Sequence, residues 1–251
     1  MSLGLGVGYY GLGGEDMASS VSTDLKQATS GAAAGLALWL KNDTGVTAAK
    51  WTDSSGYNNH ATQSTEANQA AVSGGGLDFE AGNSQHYDLT NAITIADNSG
   101  FCIAAVITLE TANNATLLGK DAFDQFSIKN TNVFRFRSDT NDTTTLIQFS
   151  SDGSTFPVST KMLVLLNRSA GASNRFTFFK NGTLLTADTD TSSNEAAGEN
   201  PDGFDIKILG AKQGTSQFFD GIIHELAFWQ RGLTTQEITD VNTDLVSRHG
   251  L

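Results

Sequence analysis

Two acidic residues stand two positions apart in the segment GLDFE, residues 76–80, and their spacing could support acid–base chemistry. Asp78 and Glu80 would face the same side of a β-strand, because alternate side chains of a strand point the same way. A retaining glycoside hydrolase needs two carboxyl groups roughly 5–5.5 Å apart, one of them with a raised pKa. Nothing in the sequence requires either condition, and the positions that would extend the alternation, Gly76 and Gly82, carry no acid. We therefore predict that this pair is not catalytic.

A second group of oxygen-bearing side chains lies further along the chain. Asp188, Asp190, Ser192 and Asn194 fall at alternate positions, and Glu199 stands twelve positions into the run, as in an EF-hand calcium loop. Ser193 occupies the position where that loop needs glycine, and no helical pattern flanks the segment. A long solvated loop is the favoured interpretation, with calcium binding through these residues as the alternative. No zinc spacing, phosphate-cradling glycine motif or Ser-His-Asp signature is present in the sequence, so no other cofactor is predicted.

Trp51, Tyr57 and His60 are the candidates for contact with a sugar. Tyr57 and His60 lie within the segment DSSGYNNH, residues 53–60, and Trp51 lies two residues before it. The Asp, Ser and Gly residues of this segment favour tight turns. Trp51 is expected to be the exposed tryptophan, because Trp39 and Trp229 lie inside apolar segments near opposite ends of the chain. A hydrogen bond within the turn is the favoured role of His60, with ligand contact as the alternative.

The elements that must position these residues are strands. From residue 36 onward, short apolar segments alternate with clusters of Gly, Asn, Asp and Ser, which is typical of an all-β sandwich. The predicted strand segments are 36–40, 76–80, 86–89, 101–110, 115–119, 125–129, 133–138, 145–149, 161–168, 175–182, 205–210 and 221–229. In the segment VFRFRS, Phe134 and Phe136 would face one side of the sheet, and Arg135 and Arg137 the other. The dipeptide Asn181-Gly182 predicts a tight hairpin.

One helix is predicted, at the C-terminal end. Thr234 and Glu237 form a capping-box pattern. Ile238, Val241 and Leu245, with Val246, follow at helical spacing and would pack against the sandwich.

The N-terminal residues 1–34 are predicted to form a glycine-rich arm, and residues 35–251 a separate β domain. Leu3, Leu5, Val7 and Tyr9 alternate with glycines and are followed by Tyr10, a period-two pattern typical of an extended strand with one apolar face. An unstructured tail is the alternative. If the arm is extended, its unpaired backbone groups favour docking on a neighbouring subunit.

Composition excludes several function classes. Lys plus Arg is 15 and Asp plus Glu is 27, so 15 − 27 gives a formal net charge of −12. Such a chain repels phosphate backbones and lacks a basic membrane-binding patch, so neither nucleic acid nor a membrane is an expected partner. The start of the chain has no pattern of a secretory signal, so synthesis in the cytoplasm without export is expected. Cys102, the single cysteine, lies in an apolar segment and is predicted to be buried.

Two sets of segments resemble a known family. The first set is LALWLKND, WTDSSGYNNHATQ, GLDFE and HYDL; the second is the closing stretch FDGIIHELAFWQRGLTTQEITDVNTDLVSRHGL. Together they are similar to the beginning and end of laminin-G-like, concanavalin A-like lectin/glucanase domains over roughly residues 36–251. The resemblance implies a two-sheet antiparallel jelly roll, and the residue patterns above add an extended N-terminal arm and one C-terminal helix. Catalytic relatives carry Glu-x-Asp-x-Glu on a strand, which is incomplete here, and His224 stands where the family usually has an acid.

The opening MSLGLGVG, joined to such a domain, also resembles structural proteins of marine, cyanobacteria-infecting tailed bacteriophages. This resemblance implies a non-enzymatic subunit on the exterior of a virion, as a capsid decoration, neck or fibre-associated protein. Its partners would be other virion proteins, in an oligomeric arrangement, and its lectin-like domain would contact host surface glycan. A carbohydrate-binding module whose main role is glycan recognition is the alternative, and a glycoside hydrolase is the least favoured.

Overall fold

Two antiparallel sheets and one long helix make up the described part of the protein. The computed structural model describes residue 25 and residues 35–96, 99–111, 115–120, 125–129, 133–138, 145–150, 156–170, 176–186, 189–190 and 204–251. Within these residues the strands are β1 (Leu36–Leu40), β2 (Val46–Thr47), β3 (Lys50–Trp51), β4 (Ala61–Thr62), β5 (Ala71–Ser73), β6 (Gly76–Phe79), β7 (Tyr87–Ile95), β8 (Phe101–Leu109), β9 (Ala115–Gly119), β10 (Gln125–Lys129), β11 (Val133–Ser138), β12 (Thr145–Ser150), β13 (Lys161–Arg168), β14 (Phe176–Lys180), β15 (Thr183–Leu185), β16 (Thr189–Asp190), β17 (Phe204–Leu209) and β18 (Gly221–Trp229). The helix, α1, spans Thr235–His249.

The strands divide into an eight-stranded and a ten-stranded sheet. The first has the order β15-β14-β13-β8-β18-β6-β5, with β1 also paired to β18. The second has the order β16-β12-β11-β10-β9-β17-β7-β4-β3-β2. Neighbours in both sheets are often distant in sequence, as in a jelly roll, and the first strand, β1, pairs antiparallel with the last, β18. The predicted all-β, two-sheet antiparallel fold with one C-terminal helix is confirmed.

Aromatic rings fill the space between the sheets. Phe101 lies at the centre of this core, with its ring centroid 5.0–6.0 Å from those of Phe126, Phe136, Phe204 and Phe228. Burial of each such side chain contributes about 1.5–3 kcal/mol to the free energy of unfolding. A sandwich of this size therefore has a core that needs neither a disulfide nor a metal.

A second apolar layer covers the outer face of the eight-stranded sheet. The buried side chains of α1 pack there on Trp39 and Trp229, together with Cys102 and Leu165. The strand β8 is apolar along its whole length because both of its faces are buried. One face contributes to the core between the sheets, and the other contributes to the apolar layer beneath α1. Leu25 is also fully buried in this layer, so at least this residue of the predicted arm contacts its own domain.

The local signals for the helix and the hairpin are confirmed. The Thr234 side chain accepts from the Glu237 backbone N–H, and the Glu237 carboxylate accepts from the Thr234 N–H at 2.9 Å. Gly250 ends the helix with φ of 66°. Asn181 and Gly182 have φ of 47° and 77°, as a two-residue type I′ turn requires.

All twelve predicted strand segments form strands, whereas β2 to β5, β15 and β16 were not predicted. These six strands have two or three residues each, too few to show a period of alternation. No helix within the described residues has the length and apolar character to cross a membrane.

Candidate functional site

The outer face of the ten-stranded sheet carries a row of polar side chains, which we call the arginine face: Thr116, Gln125, Ser127, Arg135 and Arg137. Its position follows from strand alternation. The intervening residues of β10 and β11 point into the core, and Phe134 and Phe136 are at most 1% exposed. Cross-strand pairing then aligns Thr116 with Ser127 and Ser127 with Arg135, and in the next row Gln125 with Arg137. The predicted separation of arginines from phenylalanines is confirmed.

Arg135 is half-buried and makes neutral contacts. Its Nε donates to Ser127 Oγ at 3.2 Å, and Nη2 lies 3.4 Å from Gln125 Oε1. Burial lowers the pKa of Arg135, and the like charge of Arg137 lowers it further. At the end of the row, the fully buried Thr116 hydroxyl has no hydrogen-bond partner among the residues that the structure describes. The face thus holds hydroxyl, amide and guanidinium groups, which are the groups that hydrogen-bond sugars and their acidic substituents.

The three predicted sugar-contact residues occupy different environments. Trp51 is fully buried and its Nε1 donates to the Lys41 carbonyl at 3.1 Å, so the expectation that it is exposed was wrong. Trp51 lies on β3, which has two residues, and one of these two side chains faces the core. A segment of two residues shows no alternation, so the sequence did not indicate which of the two side chains would be buried. Tyr57 is 53% exposed and His60 is half-buried. Contact of these two residues with a glycan stays a prediction.

Asp53 organises the turn between Trp51 and His60. Its Oδ1 accepts from the backbone N–H groups of Trp39 and Ser55, and its Oδ2 accepts from the Ser55 hydroxyl and the Asn59 N–H, all at 2.7–2.9 Å. The Asp53 N–H in turn donates to His60 Nδ1 at 3.0 Å. The favoured interpretation, that this polar segment forms a turn, is therefore confirmed. Both oxygens of the Asp53 carboxylate accept hydrogen bonds from within the protein.

Trp39 and Trp229 are 2% and 0% exposed, as predicted. Trp39 donates from Nε1 to the buried carboxylate of Glu225 at 2.7 Å. His224, at the position where the family usually has an acid, is buried and bonded to Thr108 Oγ1 at 2.9 Å and to the Gly74 carbonyl at 3.2 Å. Burial lowers the pKa of His224, and the histidine serves packing between strands.

Three carboxylates meet at one end of the eight-stranded sheet, and we call them the carboxylate rim: Asp78, Glu80 and Glu110. Asp78 and Glu80 come from the end of β6, and Glu110 follows β8, with β18 between the two strands. Their oxygen atoms lie within 4.8 Å of one another. Burial raises the pKa of Asp78, with His224 opposing this rise and Asp220 adding to it. Burial and the acids Asp78, Glu80 and Asp220 raise the pKa of Glu110. The sequence pattern missed Glu110, because the third acid comes from another strand rather than from position 76 or 82.

The carboxylate rim is the one group in the described part of the chain whose oxygen atoms could hold a divalent cation. Glu80 and Glu110 are exposed, and such acids are also stable in water without an ion. Of the predicted calcium residues, Asp190 pairs through its backbone with Ile147, and its side chain lies outside the described residues. Asp188, Asn194 and Glu199 lie outside the described residues altogether, as do Leu3, Leu5, Val7, Tyr9 and Tyr10 of the predicted arm.

A two-sheet sandwich with aromatic rings between the sheets, a helix over one outer face and polar side chains on the other is a lectin-like architecture. A sequence profile for the Laminin G 3 family, described as the concanavalin A-like lectin/glucanases superfamily, matches residues 81–239. The chain therefore belongs to this superfamily. Among curated protein sequences, none matches the chain.

Solved structures share the fold at low sequence identity. The binding domain of Paraclostridial Mosquitocidal Protein 1 is 17% identical, with a TM-score of 0.59 over 88% of this chain and 53% of that one. Trypanosoma rangeli sialidase in complex with a difluoro-nononic acid is 16% identical, with a TM-score of 0.54 over 86% of this chain and 33% of the sialidase. The chain thus spans about half of the first protein and a third of the second, and at these identities the likeness concerns the fold.

Proposed function

We propose that this chain is a lectin-like module that recognises carbohydrate and does not hydrolyse it. The observation that carries the proposal is the contrast between the two outer sheet faces. On the eight-stranded sheet the outer face is apolar and α1 covers it, whereas the outer face of the ten-stranded sheet carries the arginine face. Thr116, Gln125 and Ser127 are at most 1% exposed there, so the half-buried Arg135 and Arg137 are the groups through which this face would contact a sugar. A guanidinium fixed on a rigid strand can hydrogen-bond the hydroxyls of a sugar without rearrangement of the protein.

The direct test is binding of the full chain to a glycan array, followed by titration calorimetry with the glycans that bind. Gln125→Ala should weaken binding, because Gln125 is buried beneath the face and its Oε1, 3.4 Å from Arg135 Nη2, helps to hold the half-buried Arg135 in place. Gln69→Ala is the matched control, since Gln69 is an amide remote in sequence from that face that bonds to Gln63. Absence of binding to any glycan would refute the proposal.

A glycoside hydrolase is the second candidate, because the carboxylate rim brings Asp78 and Glu110 together with raised pKa values. The rim lies on the eight-stranded sheet rather than on the arginine face, and Glu110 is exposed, which argues against an enclosed general acid. A reducing-sugar assay on laminarin and host polysaccharide separates the two functions. Release of sugar that Asp78→Asn abolishes would establish hydrolysis, and no release supports a binding module.

For the biological setting, we propose an external subunit of a tailed bacteriophage particle. The support is the glycine-alternating opening of the chain, which resembles phage structural proteins, and the acidic composition. In this setting the chain would contact other virion proteins and present its domain to host surface glycan. Mass spectrometry of purified particles tests this proposal, and absence of the protein from them refutes it. Deletion of residues 1–14 should abolish incorporation while the sandwich still folds.

A further inference from the structure

A groove of about 460 Å³ lies between α1 and the hairpin of β14 and β15. This volume falls within the range of about 300–1,000 Å³ that is typical of ligand sites. Its apolar lining is Phe179 of β14 with Ile238 and Val246 of α1. The rest of the described lining consists of Asn181, Gly182, Thr235, Thr239, Asn242, Thr243 and Ser247. None of these described lining residues is charged, although the chain has 27 acidic and 15 basic residues, so the groove favours an uncharged and largely apolar occupant.

Leu184 extends this apolar surface beyond the groove. It pairs directly with Phe179 between β14 and β15, so the two side chains share one face of the sheet. Leu184 is 60% exposed, and β15 is the outermost strand at this end of the eight-stranded sheet in the described part of the chain. A contiguous apolar surface of this kind is typical of an interaction site.

The side chain of Asn242 adds a polar requirement that the occupant must meet. Asn242 lines the groove and is 6% exposed, and its Oδ1 has no hydrogen-bond partner among the described residues. A buried amide oxygen without a partner lowers stability, so an occupant that donates a hydrogen bond to it is favoured. An extended peptide suits this amide, because the side chain of asparagine can accept from a backbone N–H and donate to a backbone C=O.

Residues 3–9 of this chain, which lie outside the described residues, have the character that the groove requires. Leucine, valine and tyrosine alternate there with glycine, and the segment contains no charged residue. In an extended conformation its apolar side chains would lie on one face, with successive side chains roughly 6.6 Å apart. The glycines on the other face would let the backbone of the segment approach a neighbouring surface closely.

The chain is long enough to bring this segment to the groove. Leu25 is fully buried in the apolar layer beneath α1, the layer against which Phe179 and Val246 also pack. An extended connection from Tyr9 to Leu25 can span about 50 Å, whereas the 15 residues of α1 span only about 22 Å. Such a tether gives the segment an effective concentration of about millimolar at its own domain. This favours the chain's own segment over that of a second copy.

We propose that residues 3–9 lie extended in this groove, with their apolar side chains against Phe179, Ile238 and Val246 and a peptide group bonded to Asn242. The groove lies on the other sheet from the arginine face, so the proposal is independent of the proposed carbohydrate recognition. In this position the N-terminal arm is held on its own domain. It must leave the groove before the same residues can dock on a neighbouring subunit.

Hydrogen–deuterium exchange of the full chain, measured by mass spectrometry on fragments that contain residues 3–9, tests the proposal. We expect the backbone amides of this segment to exchange roughly tenfold or more slowly than those of a synthetic peptide of residues 1–14, because docking protects them from water. Thr239→Arg should restore the rate of the free peptide, since the exposed Thr239 lines the groove and an arginine there would fill it and add a charge. Gln236→Arg is the matched control: Gln236 is exposed on the same helix outside the described lining, and its replacement should leave the protection unchanged.

Two further variants separate the contacts. Asn242→Ala should speed exchange of the segment about two- to tenfold, because one hydrogen bond is lost while the apolar contacts remain. Thermal unfolding of each variant checks that it is folded. Should Thr239→Arg fail to fold, Leu5→Asp changes only the segment and is expected to abolish the protection.

Three results would overturn the proposal. The first is exchange of residues 3–9 at the rate of the free peptide in the wild-type chain. The second is protection that neither Thr239→Arg nor Asn242→Ala changes, which would place the segment outside the groove. The third comes from light scattering at the same protein concentration: a protected monomer supports docking of the chain's own segment, whereas protection that occurs only in a dimer and is lost on dilution assigns the groove to the segment of a second copy.

Discussion

A buried ion cluster attaches α1 to the sandwich, and replacing its central carboxylate tests how much it contributes. Glu225 on β18 is 1% exposed and accepts from both terminal nitrogens of Arg248 at 2.8 and 2.9 Å. The Nε2 atom of His249 lies 2.8 Å from the same carboxylate, and Trp39 Nε1 donates to it at 2.7 Å. We predict that Glu225→Gln destabilises the domain, because Arg248 keeps its charge and loses one of its two carboxylate partners, the other being Asp244 at 2.8 Å.

The magnitude follows from the pKa of Glu225. Burial alone would raise this pKa, but hydrogen bonds from His249 and Arg248 and the Arg248 charge outweigh burial and lower it from 4.5 to about 2. Such a difference from the unfolded chain corresponds to about 3 kcal/mol of stability at neutral pH. For a domain of this length that is a fall in the thermal midpoint of roughly 6–12 °C.

The lowered pKa of Glu225 also predicts how the stability difference between wild type and Glu225→Gln changes with pH. A carboxylate with a lowered folded-state pKa contributes its stability above the unfolded pKa and loses it as the pH falls through the folded pKa. The difference between wild type and Glu225→Gln should therefore be largest at pH 7 and shrink from about pH 4.5 towards pH 2.

Thermal unfolding followed by tryptophan fluorescence measures this difference, because Trp39 and Trp229 lie under α1. Glu66→Gln is the control, since Glu66 is exposed and should leave the midpoint unchanged. A Glu225→Gln midpoint within about 2 °C of wild type at pH 7 would refute the reasoning. So would a difference that stays constant down to pH 3.

Three further predictions concern other sites. Trp51→Ala should lower the free energy of unfolding by about 3–5 kcal/mol in denaturant titrations, and folded protein should keep its glycan affinity, because Trp51 is fully buried. Glu110→Gln should raise the thermal midpoint at pH 7. Burial and the nearby acids raise the pKa of Glu110, so its ionisation lowers stability as the pH rises, and the gain should vanish below about pH 4. Cys102 should react with a thiol reagent only after unfolding, since burial raises its pKa well above the usual range; reaction in native buffer would contradict its placement.

Much of the fold was predictable because its signals are local. The alternation of Phe134, Arg135, Phe136 and Arg137 is visible in five residues of sequence, and burial of the phenylalanines drives it. The Asn181-Gly182 turn needs only two residues that tolerate positive φ. The candidate site was less predictable. The residues next to Trp51 do not show whether its side chain faces the core or the solvent, because its strand has two residues.

The sequence by itself determined the strand segments, the capped C-terminal helix and the two faces of each long strand, since these depend on the spacing of residues within one segment. Only the tertiary structure decided which segments lie side by side. It brought Glu110 to Asp78 through β18, and Gln125 and Ser127 to Arg135 across a hairpin. It also joined Glu225 to Arg248 of α1. Those contacts arise from the order and register of strands in the sheets, which are set by how the apolar faces of the whole chain pack together.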